Sequence, residues 1–391
     1  MTIEMRTGQD RGTVMNQAET AKKPLAIYLH IPFCVRKCLY CDFLSASASE
    51  EQIEHYVNLL LREMQASADS GQLQDYEAKT VFIGGGTPSL LSFRQLKMVL
   101  CKLKSVLPVC ADAEITMEMN PGTVTKTQLA NIKSVGINRI SIGVQSFQDG
   151  ELLALGRIHK AAEAYRLWEW TEQLGFKNRN LDLMSGIPGQ TEQTFRDTLN
   201  RAVSLKPEHL SVYSLIVEEG TPFYEMYPDG AVDEETDRRL YALTGAFLRA
   251  QGYERYEISN YAKEGYACRH NLTYWTRGEY LGFGLGAASL MKDVRLRNAP
   301  DMARYEKGII EREALSEEDC MAEMMFLGLR LIWGVSEQAF YARFGKSLDE
   351  VYGDVLKKHM KNGLLEYKDG FFFLTERGLD VSNYVMADFI K

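Results

Sequence analysis

The sequence lacks any long apolar run: no stretch of its 391 residues approaches the roughly 20 apolar residues that a membrane-spanning helix needs. The first 23 residues, MTIEMRTGQDRGTVMNQAETAKK, contain no apolar core, so no secretory signal is expected there. We therefore predict a flexible leader over residues 1–23, a protein without a membrane span, and a cytoplasmic location.

An excess of positive charge is also missing. The 45 lysines and arginines are outnumbered by 53 acidic residues, which leaves a net charge of −8 and argues against a general nucleic-acid surface. Internal repeats and low-complexity tracts are absent as well. The hydrophobic fraction of 45% is ordinary for a globular protein, and the length suits one large domain with a smaller one.

Cysteine is scarce and unevenly placed. The seven cysteines are an odd number, and three of them stand in CVRKCLYC as Cys34, Cys38 and Cys41, which does not fit a secreted disulfide framework. In a reducing compartment, three thiolates on a short loop suit an iron–sulfur cluster with one iron left open to an outside ligand. A zinc site is an alternative, but it needs a fourth ligand that is not obvious. Three unrelated thiols in a turn are the other alternative.

The chain alternates between β-rich apolar runs and amphipathic helical patterns. This rhythm predicts βαβ units and a parallel sheet, which right-handed crossovers curl into an open, barrel-like form. Six such units fall short of the eight in a closed barrel. The predicted strands cover 25–31, 80–85, 114–120, 138–144, 180–184 and 209–215, and the predicted helices cover 51–68, 92–106, 125–135, 159–174 and 192–205.

The residues best suited to chemistry follow the predicted strands. The cysteine loop comes after the first strand and GGGTPS (84–89) after the second. Glu118, Gln145 and Asp182 come at or after the ends of the third, fourth and fifth strands. Because active sites of such sheets lie at the carboxyl-terminal ends of the strands, we expect these groups to meet at one rim.

Four segments together resemble one known superfamily. YLHIPFCVRKCLYCDF, FIGGGTPSLL, GVQSF and DLMSGIPGQT look like the radical S-adenosylmethionine (SAM) proteins, in the subgroup of oxygen-independent coproporphyrinogen III oxidase and its heme-chaperone relatives. The likeness runs from about residue 24 to the end. It implies an α/β fold, a partial (β/α)6 TIM-like barrel of the radical SAM type, with a [4Fe-4S] cluster whose open iron binds SAM.

The resemblance also implies roles for single residues. Cys34, Cys38 and Cys41 match the cluster ligands. Matched to SAM contacts are Gly85, Gly86 and Thr87 at the methionine end, Glu118 and Arg157 as charged contacts, Gln145 and Asp182 as polar contacts, and Tyr28, Tyr40, Ile216 and Ala288 around the nucleoside. A carboxylate such as that of Asp182 suits ribose hydroxyls. No catalytic residue is assigned.

Two features distinguish the branches of this subgroup. The oxidase motif continues to a further cysteine, CxxxCxxCxC, whereas Cys41 is followed here by Asp42 and Phe43. CRHNLTYW (268–275) contains HNxxYW, a signature of the heme-chaperone branch. His270 is therefore a candidate axial heme ligand, with the flat rings of Tyr274 and Trp275 beside it.

Residues 315–391 follow a different pattern from residues 24–314. Helical segments followed by a hairpin turning at Lys368, Asp369 and Gly370 predict a small C-terminal α+β domain that is winged-helix-like. DNA binding by the helix with Lys357, Lys358 and Lys361 is one interpretation. An accessory domain with a solvated basic face is the interpretation that we favour, because positive residues are few.

Three functions are consistent with these patterns. The favoured one is a heme chaperone that binds heme, a [4Fe-4S] cluster and SAM, and transfers heme to an acceptor protein. An enzyme that oxidatively decarboxylates coproporphyrinogen III or a related porphyrinogen is the alternative, made doubtful by the missing cysteine. A winged-helix binding protein with a sensor barrel is the third. We expect no nucleic-acid partner and a monomer or dimer.

Overall fold

The computed structural model describes residues 22–390, and most of them are organised around one large twisted sheet. The predicted leader over 1–23 lies outside the described residues, apart from its last two. Lys23 already belongs to the first strand. Among residues 22–390, no helix is long and apolar enough to cross a membrane.

All six predicted strand-and-helix units are present. Their strands pair in parallel and in sequence order. The strands are β1 (Lys23–Ile31), β2 (Tyr76–Gly85), β3 (Val109–Met119), β4 (Arg139–Gln145), β5 (Asn178–Ser185) and β6 (His209–Ser214). The helices are α1 (Glu50–Asp69), α2 (Phe93–Val106), α3 (Lys126–Ser134), α4 (Asp149–Ala154), α5 (Ala161–Gln173), α6 (Glu192–Ser204), α7 (Pro222–Met226) and α8 (Glu234–Ala250), with a 3₁₀ turn at Pro88–Leu90 before α2.

The two faces of these strands differ in chemistry. In β4, Ile140, Ile142 and Val144 are fully buried in the core that packs against the helices. The alternate residues Arg139 and Ser141 face the inside of the curved sheet. Because strand side chains alternate between faces, the apolar set builds the helix-covered layer and the polar set lines an interior cavity.

Short strands extend the sheet to twelve in the order β12-β11-β10-β9-β1-β2-β3-β4-β5-β6-β8-β7. The sequence patterns did not indicate these additions, because runs of two to five residues carry little periodicity. The added elements are β7 (Glu254–Arg255), β8 (Asn260–Ala262), α9 (Arg269–Trp275), β9 (Tyr280–Phe283), β10 (Ala288–Met291), β11 (Val294–Asn298), α10 (Met302–Tyr305) and β12 (Ile310–Ala314).

The C-terminal segment forms its own hydrophobic cluster, centred on residues such as Phe340, Val385 and Phe389. Its three strands form a separate antiparallel sheet in the order β13-β15-β14, and the hairpin turns at Asp369 and Gly370, which both have positive φ. The elements are α11 (Glu317–Gly328), β13 (Val335–Ser336), α12 (Glu337–Phe344), α13 (Leu348–Lys361), β14 (Leu365–Lys368), β15 (Phe371–Leu374), α14 (Glu376–Asp380) and α15 (Ser382–Ala387).

A buried ion pair network ties this segment to the large sheet. The Arg277 side chain, just after α9, is 2% exposed, and its Nε lies 2.8 Å from Glu323 Oε2 on α11. Its Nη1 lies 2.7 Å from Asp293 Oδ1, in the turn between β10 and β11. One guanidinium therefore holds three segments together.

Arg277→Met should lower the free energy of unfolding by about 3 kcal/mol, because the buried Glu323 carboxylate loses its buried partner and keeps only the more exposed Arg295. Urea denaturation followed by circular dichroism measures this. Arg196→Met is the matched control, since Arg196 forms an exposed ion pair with Glu192 within one helix and should change the midpoint little. Equal effects of the two variants would contradict the assignment.

Candidate functional site

A cavity of about 590 Å³ opens at the carboxyl-terminal ends of β1 to β6. This volume is in the range of small-molecule and cofactor sites. Twelve of the fifteen predicted site residues line it: Cys34, Cys38, Tyr40, Cys41, Gly85, Gly86, Thr87, Glu118, Gln145, Arg157, Asp182 and Ile216. The residues expected to meet at one rim of the sheet therefore line a single cavity.

The three cysteines lie on the loop that follows β1, and all three thiols are free. Thr87 Oγ1 lies 3.5 Å from Cys34 Sγ, and Arg157 Nη1 lies 3.6 Å from Cys38 Sγ, so these two sulfurs each have a hydrogen-bond donor. Burial raises the pKa of the Cys41 thiol, so its thiolate form needs a cationic partner such as iron. Three free thiols at one cavity, two of them with hydrogen-bond donors, fit the ligand set of an iron–sulfur cluster.

In the described part of the chain, no three His, Cys, Asp or Glu side chains are grouped to hold one ion.

Glycines at the end of β2 let it lie directly against the start of the cysteine loop. A Cβ on Gly85, which has φ of +114°, would come within 2.6 Å of the His30 ring, and one on Gly86 would come within 2.6 Å of the Phe33 carbonyl oxygen. The amide of Thr87 donates to that same carbonyl at 2.7 Å. Gly86 therefore permits the close contact of two backbones, and Gly85 leaves room for the His30 ring, because neither residue has a side chain.

Two carboxyl groups share the middle of the cavity. Glu118 accepts a hydrogen bond from the Gly85 amide at 3.0 Å, yet removal from bulk water and repulsion from Asp182 raise its pKa to about 8. Removal from water also raises the pKa of Asp182, against the hydrogen bond that Asn180 Nδ2 donates at 2.6 Å. Each carboxyl would be stabilised in its charged form by a bound cation.

Arg157 and Gln145 form the opposite wall. Arg157 Nη2 donates to Asn120 Oδ1 at 2.5 Å and to the Gly143 carbonyl at 2.6 Å, which fixes its guanidinium beside the cysteine loop. Gln145 has φ of 66°, and its Oε1 accepts a hydrogen bond from Tyr213 at 2.9 Å. The wall is therefore pre-organised by the fold.

Three predicted residues do not line the cavity. Tyr28 lies behind the wall, where its hydroxyl is 3.0 Å from His30 Nδ1 and its ring stacks on Phe82, which does line the cavity. Ala288 is exposed on β10, which is separated from β1 by β9. The third residue is His270, on α9.

His270 is 1% exposed, and both of its ring nitrogens are hydrogen bonded. Nδ1 lies 2.8 Å from Thr80 Oγ1 and Nε2 lies 2.8 Å from the Tyr274 hydroxyl. Burial, followed by the positive charge of Arg139, lowers its pKa to about 3. The ring is thus neutral, and neither nitrogen is free for a metal in this arrangement.

Several cavity residues were not predicted. Arg139 is 2% exposed, and its Nε has no hydrogen-bond partner. A signal existed in RISIGVQ, NLDLM and HLSVYS, where polar residues alternate with apolar ones and so mark a polar inner face. The unpredicted inward residues are Arg139, Ser141, Asn180, Ser211 and Tyr213.

The protein resembles known families along most of its length. The radical SAM superfamily model matches residues 28–202, and the HemN C-terminal domain model matches residues 315–381. A Bacillus subtilis protein named heme chaperone HemW is 39% identical over 375 residues, which covers 93% of this chain and 98% of that protein. The chain belongs to the HemW family of the radical SAM superfamily. The Escherichia coli HemW is 38% identical, over 94% of this chain and 98% of its own.

The fold has a solved counterpart. Coproporphyrinogen III oxidase (HemN) from Escherichia coli, a radical SAM enzyme, matches with a TM-score of 0.84 over 96% of this chain and 92% of that one, at 22% identity. This likeness establishes a shared fold. Membership of the radical SAM superfamily implies a [4Fe-4S] cluster and SAM as cofactors. In this HemW relative, the cavity with three free thiols has the donor set for that cluster.

Cys38→Ala should prevent cluster assembly, because two thiolates leave the cubane without enough protein ligands. After anaerobic reconstitution, we expect about four irons per chain in the parent protein and fewer than about one in the variant, by iron assay and visible absorbance. Cys101→Ala is the control, since that thiol is exposed on α2, outside the cavity. A full cluster in Cys38→Ala would overturn the ligand assignment.

SAM affinity should rise with pH up to about 8. Glu118 has a raised pKa of about 8, so below that pH it must lose a proton before it can pair with the cationic ligand. Affinity should therefore change by about tenfold per pH unit between pH 6 and 7, measured by calorimetry on the reconstituted protein. Glu118→Gln should abolish this dependence.

Glu63→Gln is the matched control for this pH series. Burial raises the pKa of Glu63 as well, but it bonds Tyr305 and Asn298 away from the cavity. Its variant should keep the parent pH profile. A flat profile in the parent protein would contradict the role of Glu118.

Proposed function

We propose that the protein is a heme chaperone, which binds heme together with a [4Fe-4S] cluster and SAM and passes the heme to an acceptor protein. The name of its relatives over nearly the full chain supports this. The observation that carries it in this structure is the position of α9: Asn271 of its HNLTYW sequence lines the cavity, and His270 lies just behind the cavity wall. The His270 and Phe82 rings lie 5.1 Å apart, and Phe82 lines the cavity.

His270 suits reversible heme ligation. Its ring is neutral, which is the form that binds iron. Before it can do so, it must give up its bond to Thr80 or Tyr274. Because exchanging these bonds offsets part of the iron–nitrogen bond energy, the site would hold heme less tightly than a permanently exposed histidine. A carrier that must release its cargo needs such moderate affinity.

The alternative function is oxidative decarboxylation of a porphyrinogen. The fold shared with HemN favours it, but 22% identity supports the fold and not the activity. Asp42 and Phe43 follow Cys41 here, and no cysteine occupies the position that continues the oxidase motif. We therefore rank this function second.

The remaining assignments follow from charge and thiol chemistry. The free cysteines suit a reducing cytoplasmic compartment, where we place the protein.

In the C-terminal segment, Lys357 and Lys358 pair with Asp349 and Asp388, so acidic side chains lie beside this basic face and weaken its attraction for a nucleic acid. A monomer or dimer is our expectation for the oligomeric state.

An anaerobic heme titration followed by absorbance tests the chaperone. We expect saturation at one heme per chain, and His270→Gln should weaken binding by tenfold or more and change the Soret band. Glutamine preserves some hydrogen bonding to Thr80 and Tyr274, so the variant separates ligation from packing.

His55→Gln is the control for general histidine binding, because His55 is exposed and pairs with Glu306. It should bind heme like the parent protein. Absence of saturable heme binding, together with decarboxylation of coproporphyrinogen by the reconstituted protein, would replace the chaperone with the enzyme.

A further inference from the structure

A continuous chain of buried hydrogen bonds connects the cavity to α9. Asn180 Nδ2 donates to Asp182 Oδ1 at 2.6 Å, and Asn180 Oδ1 lies 2.6 Å from His209 Nδ1. His209 Nε2 lies 2.8 Å from the Tyr256 hydroxyl, which in turn lies 3.3 Å from the amide of Cys268. Cys268 is the N-cap residue immediately before α9. The chain thus runs from a cavity carboxyl to the first turn of the HNLTYW helix.

With Asp182 ionised, the bonds in this chain share one direction, which is set at the cavity end. A carboxylate can only accept, so Asn180 Nδ2 donates to Asp182 and Asn180 Oδ1 accepts from His209 Nδ1. Because the His209 ring is neutral, its Nε2 then carries no proton and accepts from the Tyr256 hydroxyl. The Tyr256 oxygen in turn accepts from the Cys268 amide. Reversing Asn180 would place its oxygen against Asp182 and a second donor against His209.

The chain is sealed from solvent. Asn180 is 1% exposed, His209 0%, Tyr256 6% and Cys268 0%. Burial and the nearby positive charge of Arg139 lower the pKa of His209 far below its usual value, which keeps its ring neutral. With no water to substitute for a lost partner, a change at one end alters the bonds further along.

We propose that Asn180, His209 and Tyr256 form a relay that couples ligand contacts at Asp182 to the position of α9. The proposal deepens the proposed function, on which its heme part rests. Hydroxyl donors of a nucleoside at Asp182 would favour the charged carboxylate and so strengthen the bond from Asn180. The relay would pass this change to the Tyr256 contact that holds the start of α9, and His209 and Tyr256 would act as positioning residues.

A second contact makes α9 responsive at that end. Glu114 on β3 accepts hydrogen bonds from the amides of Arg269 and His270, each at 3.2 Å, and Cys268 Sγ lies 3.5 Å from the same carboxyl. The first turn of α9 is therefore held by two buried anchors, Glu114 and Tyr256. If the Tyr256 contact weakens, the Glu114 contacts alone hold this turn. His270 lies in the turn, so its position would change.

The test measures heme affinity of the cluster-loaded full chain with and without saturating SAM. In the parent protein the two dissociation constants should differ by about fivefold or more. Tyr256→Phe removes only the hydroxyl, so it should reduce this ratio to about one while SAM still binds. Tyr253→Phe is the matched control, because Tyr253 is 2% exposed and donates to the Pro207 carbonyl outside the relay.

Hydrogen exchange of the peptide spanning 265–276 provides a readout that needs no heme. SAM should slow exchange there in the parent protein and in Tyr253→Phe, but not in Tyr256→Phe. If Tyr256→Phe does not fold, His209→Asn replaces it, since asparagine keeps the contact to Asn180 and cannot reach Tyr256. SAM-induced protection that persists in the relay variant would overturn the relay.

The outcomes separate the two proposals. Normal heme binding with no effect of SAM on affinity or on exchange would refute the relay and leave the chaperone intact. No heme binding, with SAM-induced protection of α9 that Tyr256→Phe abolishes, would support the relay and refute the chaperone. Equal loss of coupling in Tyr253→Phe and Tyr256→Phe would also refute the relay, because it would indicate general loosening.

Discussion

The close contact between the ends of β1 and β2 determines the geometry of the site. The Gly86 amide donates to the Ile31 carbonyl at 2.8 Å and the Thr87 amide to the Phe33 carbonyl at 2.7 Å, which holds the entry to the cysteine loop against the second strand. A side chain at Gly86 would force the two backbones apart, and one at Gly85 would collide with the His30 ring. Since Thr87 also contacts Cys34, the same contact sets the position of the thiols relative to the cavity.

The interior of the barrel is polar where closed barrels are filled with branched apolar side chains. Glu118 and Asp182 approach one another with Arg139 nearby. Removal from water raises the pKa of each carboxyl, so the charged forms are disfavoured without a cationic ligand. An arrangement of this kind favours a ligand that brings its own positive charge and hydroxyl groups. SAM has both, so the electrostatics of the cavity agree with the cofactor that the family implies.

The histidine of the HNxxYW motif is buried, and both of its ring nitrogens are hydrogen bonded. His270 is enclosed between Thr80, Tyr274 and Phe82, and its helix is anchored by Glu114 and Tyr256. Such burial would make the proposed heme ligation conditional on movement of α9. The proposed heme site and the cavity would then share one wall, which gives a physical reason for both to occur in one protein.

The sequence by itself determined the six strand-and-helix units, the cysteine loop and most of the cavity rim. These depend on local periodicity and on the meeting of parallel strand ends at one edge, and both can be read from neighbouring residues. Only the tertiary structure decided that Tyr28 and Ala288 lie off the cavity and that His270 is buried. The short strands carry too few residues for a pattern, and the Glu114 contacts to α9 join residues about 155 positions apart. Contacts across such distances arise from packing of the whole chain and leave no local signal.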